Sequence, residues 1–160
     1  MKMFQVPRRA VDVQVLLRSG IELPGTLYAA ASGPDGRPGR LGDRLNEDAE
    51  LFVALRSGED GCLLNKSWIL TVQLDLAEEA QELEQTAAMR EIQVRMKLAG
   101  GTELEGRLPF SMPPGRGRLI DYLNEAPHFI PLIRSDSLTM VNRDFVVKIR
   151  DVMREGNGGK

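Results

Sequence analysis

Two stretches decide the architecture. The first is Val13-Gln14-Val15-Leu16-Leu17-Arg18-Ser19-Gly20-Ile21-Glu22-Leu23-Pro24-Gly25-Thr26-Leu27. The second is Val94-Arg95-Met96-Lys97-Leu98-Ala99-Gly100-Gly101-Thr102-Glu103-Leu104-Glu105-Gly106-Arg107-Leu108. Laid over one another they share Val, Leu, Gly, Glu-Leu, Gly and Leu at identical spacings. Working outward, Arg40-Leu41-Gly42-Asp43-Arg44-Leu45-Asn46-Glu47 answers Arg118-Leu119-Ile120-Asp121-Tyr122-Leu123-Asn124-Glu125. Phe52 and Leu55 then answer Phe129 and Leu132, and Asn65-Lys66, Ile69 and Val72 answer Asn142-Arg143, Val146 and Ile149. Self-similarity in one order along a chain is the signature of a duplicated unit. The Arg-Leu-x-Asp-x-Leu-Asn-Glu block carries most weight, because it is largely polar and no generic strand pattern demands it.

The blocks are assigned by their periods. Val11-Asp12-Val13-Gln14-Val15 and Ile92-Gln93-Val94-Arg95-Met96 alternate apolar with polar, which places one face of a strand on a core. Arg18-Ser19-Gly20 and Ala99-Gly100-Gly101 read as tight turns, since glycine supplies the positive φ a hairpin needs. The return strands run from Leu23 to Leu27 and from Leu104 to Leu108, with Gly25 and Gly106 marking a bulge or a close backbone approach. Leu41 and Leu45, like Leu119 and Leu123, lie four apart on one face of a short helix. Asn46 and Asn124 fall at the expected helix ends, where asparagine tolerates a left-handed conformation. Strands resume at 51–55 and 129–133, and a final hairpin arm spans 63–74 and 138–149.

The expected fold is therefore mainly β with short helices, an α+β protein of two tandem ββαββ modules. Each is a small barrel or curled sheet, and the pair is related by a pseudo-twofold. Residues 1–75 form the first module and 91–153 the second. Residues 76–90, rich in Glu, Gln and Ala with an apolar stripe at Leu76, Ala80, Leu83 and Ala87, form a connecting helix. Residues 31–39 read as an exposed inserted loop, and 154–160 as a disordered tail. A module of this size buries little surface alone, so the two are expected to share a core or extend one sheet into the other.

The hairpin pattern of apolar strand, Gly, Glu-Leu-x-Gly-x-Leu resembles the opening of Sm-like and other SH3-like small barrels, in which a glycine-bearing second strand lets the sheet curl. The repeat as a whole is similar to a bacterial small-barrel type with no assigned activity. The Sm-like resemblance implies RNA or nucleotide binding; the helix that interrupts the strands here departs from that pattern.

Composition narrows the function. The 160 residues carry a formal net charge of −2, which gives no global attraction to polyanions. No stretch approaches the roughly twenty apolar residues of a membrane span. The polar start, Met1 to Arg9, does not read as a secretory signal, so a cytoplasmic protein is expected. The single cysteine, Cys62, and the single histidine, His128, leave no set of ligands for a thiolate or histidine metal site and no redundancy for nucleophilic catalysis. Neither metal, cofactor nor catalytic residue is expected.

What recurs is a cluster of charge. Arg37-Pro38-Gly39-Arg40 and Pro114-Gly115-Arg116-Gly117-Arg118 each set two arginines beside a helix start, where free amides suit a phosphate or carboxylate. The structural alternative is that Arg40 and Arg118 pair with Asp43 and Asp121 three residues on. The candidate partner- or anion-binding set is Arg37, Arg40, Asp43, Asn46, Arg116, Arg118, Asp121, Tyr122 and Asn124. Tyr122 stands where Arg44 stands in the first copy, on a helix face read as exposed. Phe52 and Phe129 occupy matching strand positions and read as core. The expected function is a non-enzymatic adaptor or scaffold that offers a sheet edge or the helix-bearing face to a protein partner. Homo-oligomers are compatible with this reading. Sm-like binding of RNA, a nucleotide or another anion through the arginine loops is the alternative.

Overall fold

The computed structural model describes residues 8–30, 39–75, 77, 90–110 and 118–152. The connecting segment at 76 and 78–89, the insertion at 31–38 with Arg37, the loop at 111–117 with Arg116, and the tail lie outside the described residues. Arg90, read as the last residue of the connecting helix, opens a strand instead.

Alternation produces strands where expected. In β1 (Arg8–Leu17) the side chains of Val11, Val13 and Val15 are buried and those between them are not, as a two-residue period requires. β1 turns into β2 (Glu22–Ala30) with Gly20 at φ 92°, and β6 (Arg90–Leu98) into β7 (Glu103–Phe110) with Gly100 and Gly101 at φ 89° and 98°. β3 (Phe52–Ser57) and β4 (Asp60–Asn65) form a hairpin, followed by a 3-10 turn (Lys66–Trp68) and β5 (Ile69–Asp75). β8 (Phe129–Arg134), β9 (Ser137–Asn142), a second 3-10 turn (Arg143–Phe145) and β10 (Val146–Asp151) repeat that order. Helix α1 (Leu41–Leu45) precedes β3 and α2 (Leu119–Glu125) precedes β8.

All ten strands join one antiparallel sheet in the order β10-β6-β7-β8-β9-β5-β1-β2-β3-β4. The registers in β1–β5 and β6–β10 coincide. Val13 faces Gly25 as Val94 faces Gly106, Phe52 faces Asn65 as Phe129 faces Asn142, and Val15 faces Val72 as Met96 faces Ile149. Even the irregularity recurs, at Leu16/Leu17 in one and Val146/Lys148 in the other.

Three expectations change. The sheet is open: among the described residues β5 pairs with β1 and β9, and no ladder joins β4 to β5 to close a barrel. The halves join head to tail, because β9 meets β5 where a closed twofold pair would set like against like, and since every ladder is antiparallel, matching strands five places apart run in opposite directions, a half-turn combined with a shift along the sheet. Neither asparagine is left-handed. Asn46 closes α1 at φ −91°, ψ 4°, Asn124 lies within α2, and Ser135 is the one non-glycine residue described with positive φ.

Two apolar clusters form, one on each side of the β5–β9 seam. Val11, Leu27, Leu41, Leu45, Val53 and Val72 meet Phe129, Leu138 and Met140 in the first. Val94, Met96, Leu108, Ile130 and Val141 meet Leu70 in the second. Both β5 and β9 therefore bury side chains on both faces.

Gly25 and Gly106 explain how β2 and β7 curl. A Cβ on Gly25 would stand 2.6 Å from Arg56 O, and one on Gly106 2.5 Å from Ile133 O. Each glycine lets the next strand's backbone cross at close range, and the crossing strands pair only at Thr26↔Arg56 and Arg107↔Ile133. Gly25→Ala and Gly106→Ala are each expected to lower stability by about 1–3 kcal/mol, the usual cost of forcing bulk into a packed site. Gly61→Ala, whose Cβ would lie 3.7 Å from Leu55 O, should cost far less. Urea denaturation of the three variants checks the contrast.

Candidate functional site

The first copy of the recurring polar block sits over the β8–β9 hairpin. Leu41 and Leu45 are buried and fix α1 against the first cluster. That seats Arg40, Asp43 and Asn46 along a cleft of about 200 Å³ whose other wall is Pro127, Phe129, Pro131, Leu138 and Met140. The Arg40 guanidinium donates to both Asp43 carboxylate oxygens, at 3.1 and 3.4 Å. Asn46 makes the long-range contact: its Nδ2 donates to Phe129 O at 3.0 Å and its Oδ1 accepts from Phe129 N at 2.7 Å. One amide side chain thus behaves as an extra strand residue at the head of β8, satisfying a donor and an acceptor that would otherwise lack partners.

The second copy keeps the local chemistry, and no cleft like that beside α1 is seen among the described residues. Arg118 donates to Asp121 at 3.0 and 3.1 Å, and that bond with its charge holds the guanidinium above its ordinary pKa. Arg118, Ile120 and Asn124 are exposed. The nine candidate residues therefore separate. Arg40, Asp43 and Asn46 converge on the internal cleft, Arg118, Asp121, Tyr122 and Asn124 lie along α2, and Arg37 and Arg116 fall outside the described residues. Both guanidiniums at the helix starts already hold an internal carboxylate, and helices of five and seven residues supply little dipole.

Tyr122 is not an exposed anchor. It packs on the second cluster, and burial pushes its phenol up to about 12. Arg44, at the matching position, instead donates from Nη1 to Tyr28 O at 3.0 Å and lies 3.5 Å from Glu50. Each fastens its helix to the sheet, one by a hydrogen bond and the other by apolar area.

Several residues that matter here were not singled out as candidates. Lys66 is buried, and its Nζ donates to Leu45 O at 3.1 Å and Glu47 O at 2.7 Å. Burial lowers its pKa, opposed by Glu50, Asp48 and Glu47. Its counterpart Arg143 donates to Ala126 O in the same way. A cation over the carbonyls that end a helix is favourable on dipole grounds, and the matched Asn-Lys and Asn-Arg pairs were the signal for it. His128 shares a groove of about 360 Å³ with Lys66, Phe52 and Asn142. Its nitrogens face Asp144 at 3.4 Å and Asp48 at 3.9 Å, and the Ser67 hydroxyl in that groove donates to Asn65 instead. Cys62 lies in a different groove, exposed on β4, so the fold does not unite it with His128.

Matching positions differ most at the sheet ends. Phe129 is 2% exposed and Phe52 is 52%, Met140 is 4% and Leu63 is 71%, Leu70 is 3% and Val147 is 68%. Phe52, read as core, is thus open on the surface. No helix among the described residues is long and apolar enough to cross a membrane. Comparison of the chain with models of protein families, with curated proteins and with solved structures finds no match.

Asn46→Ala would strand two backbone groups of Phe129 and is expected to cost about 1–3 kcal/mol, read as a lower denaturation midpoint with unchanged slope. The Tyr122 phenol gives a pH test. A phenol whose pKa rises on folding contributes stability that is intact below the ordinary value of 10.0 and is lost as pH climbs through about 12. In a Tyr28→Phe background, ultraviolet titration should show no phenolate near pH 10 and unfolding as it appears.

Proposed function

We propose that the chain is a non-enzymatic protein-interaction unit built from two tandem ββαββ modules, residues 1–75 and 91–153. Coincident registers, paired turn glycines and the duplicated Asn-cation device support the duplication. The single observation that carries the interaction reading is the state of the two end strands, whose outer edges meet no further strand among the described residues. β4 presents Gly61, Cys62 and Leu63, all exposed, beside exposed Phe52 and Leu51. β10 presents Val147, which is also exposed.

An unpaired strand edge is a row of open hydrogen-bonding groups, and monomeric proteins usually blunt it with charge, proline or a bulge. β10 carries Lys148 and Arg150, whereas β4 between Asp60 and Asn65 has no charge at all. Addition of a strand to such an edge is an established mode of recognition, with main-chain bonds giving affinity and alternate side chains giving specificity. Leaving Leu63 and Val147 in water forgoes about 1.5–3 kcal/mol for each side chain that a partner could cover.

The alternative is Sm-like binding of RNA or another anion by the arginines before α1 and α2, and its support is their recurrence. The two readings separate in one set of measurements on the full chain. Cross-links to captured proteins should concentrate on β4 and β10, and Leu63→Lys should reduce capture at least tenfold without altering the circular dichroism spectrum. Capture indifferent to Leu63→Lys and Val147→Lys, together with salt-dependent RNA binding abolished by Arg40→Ala and Arg118→Ala, would transfer the assignment to the alternative.

A further inference from the structure

The seam inside the molecule offers a template for its two end strands. There, Thr71 pairs with Val141, Val72 with Met140, Gln73 with Thr139, Leu74 with Leu138 and Asp75 with Ser137. By register, β9 holds among β6–β10 the place that β4 holds among β1–β5, and β5 corresponds to β10 in the same way. The seam is thus a fourth strand against a fifth, and among the described residues one strand of each type ends the sheet, at opposite sides.

We infer that the partner is a second copy of this chain, docked head to tail, with β4 of one copy antiparallel to β10 of the next in the register of the β5–β9 seam. The inference rests on the interaction-unit reading and names its partner. Transferring the register sets Leu64 opposite Lys148, Leu63 opposite Ile149 and Cys62 opposite Arg150.

Four features of the seam have counterparts at the ends. Positions buried at the seam, Phe129, Met140 and Leu70, are the exposed Phe52, Leu63 and Val147 at the edges. Asn142 Nδ2 crosses the seam to Ile69 O at 2.9 Å while its Oδ1 accepts from Asp144 N. Asn65 Oδ1 likewise accepts from Ser67 N, and its amide would reach Val146 O of the next copy. Asn46 grips Phe129 across the seam, and exposed Asn124 would grip Phe52. Side-chain volume compensates: a Cβ on Gly42 would stand 3.0 Å from Met140 Cε, whereas at the end contact isoleucine replaces that glycine and the shorter Leu63 replaces the methionine.

A head-to-tail contact leaves the same two ends free in any open assembly, so copies add until a ring closes or a filament grows. This is the consequence that a twofold dimer would not have.

The register is tested with the cysteine already present. Arg150→Cys in the full chain should give a ladder of disulfide-linked oligomers through Cys62 under mild oxidation, and Lys148→Cys, displaced along the strand, should not. Sedimentation velocity should show wild type above monomer mass and rising with concentration. Leu63→Lys blocks the β4 end and Val147→Lys the β10 end. Each alone should sediment as a monomer, and their mixture as a one-to-one dimer and nothing larger. Both substitutions lie at exposed positions, and unchanged circular dichroism spectra would confirm folding. A wild type that stays monomeric at all concentrations, with no disulfide joining Cys62 to the thiol introduced by Arg150→Cys, overturns the inference, as does a ladder equally strong with Lys148→Cys. Monomeric wild type whose capture of other proteins still depends on Leu63 would overturn self-docking alone and leave the interaction reading standing.

Discussion

The β5–β9 ladder is the constraint on which the rest of the structure depends. It is the only place where strands from before and after the connecting segment pair in the described residues, and at Thr71 and Val72 against Val141 and Met140 it is buried on both faces. Backbone groups placed there have no water to bond, so every donor and acceptor must find a protein partner. The ladder meets most of that demand, and Asn142 and Asn46 meet part of the rest from the side. The two apolar clusters can lie back to back because one pair of strands separates them and contributes to both.

That constraint accounts for the asymmetry of otherwise matching residues. Phe129 and Phe52 occupy matching strand positions and have the same cross-strand partner, asparagine. Phe129 packs within the first cluster, whereas Phe52 is exposed. The same holds for Met140 against Leu63 and Leu70 against Val147. Matching positions of the sequence pattern thus differ in burial, one covered and its counterpart exposed.

Much of the fold was legible in the chain. The alternation at Val11 to Val15 and at Ile92 to Met96, the turn glycines, and the leucine pairs of α1 and α2 all report local backbone geometry, which a few consecutive residues fix. The close approach at Gly25 and Gly106 was visible as glycine within a strand pattern. The pairing of Arg40 with Asp43 and of Arg118 with Asp121 was legible for the same reason, since three residues along a helix is a local distance. The role of Asn46 was not, because its partner is far away in sequence and nothing near it names Phe129. Tyr122 was misplaced on the same ground: which face of α2 meets the sheet depends on where β8 arrives, and Arg44, its guide in the first copy, serves that contact by a different interaction.

The sequence by itself determined the strands, the turns, the short helices and their twofold recurrence, because periodicity and turn chemistry are properties of the chain over a few residues. Only the tertiary structure decided that the sheet stays open, that its halves join head to tail, and which copy of each matched residue is covered. Those outcomes turn on which strand edge meets which. Every edge offers the same backbone donors and acceptors, so the choice lies in long-range packing and is not written in any local stretch.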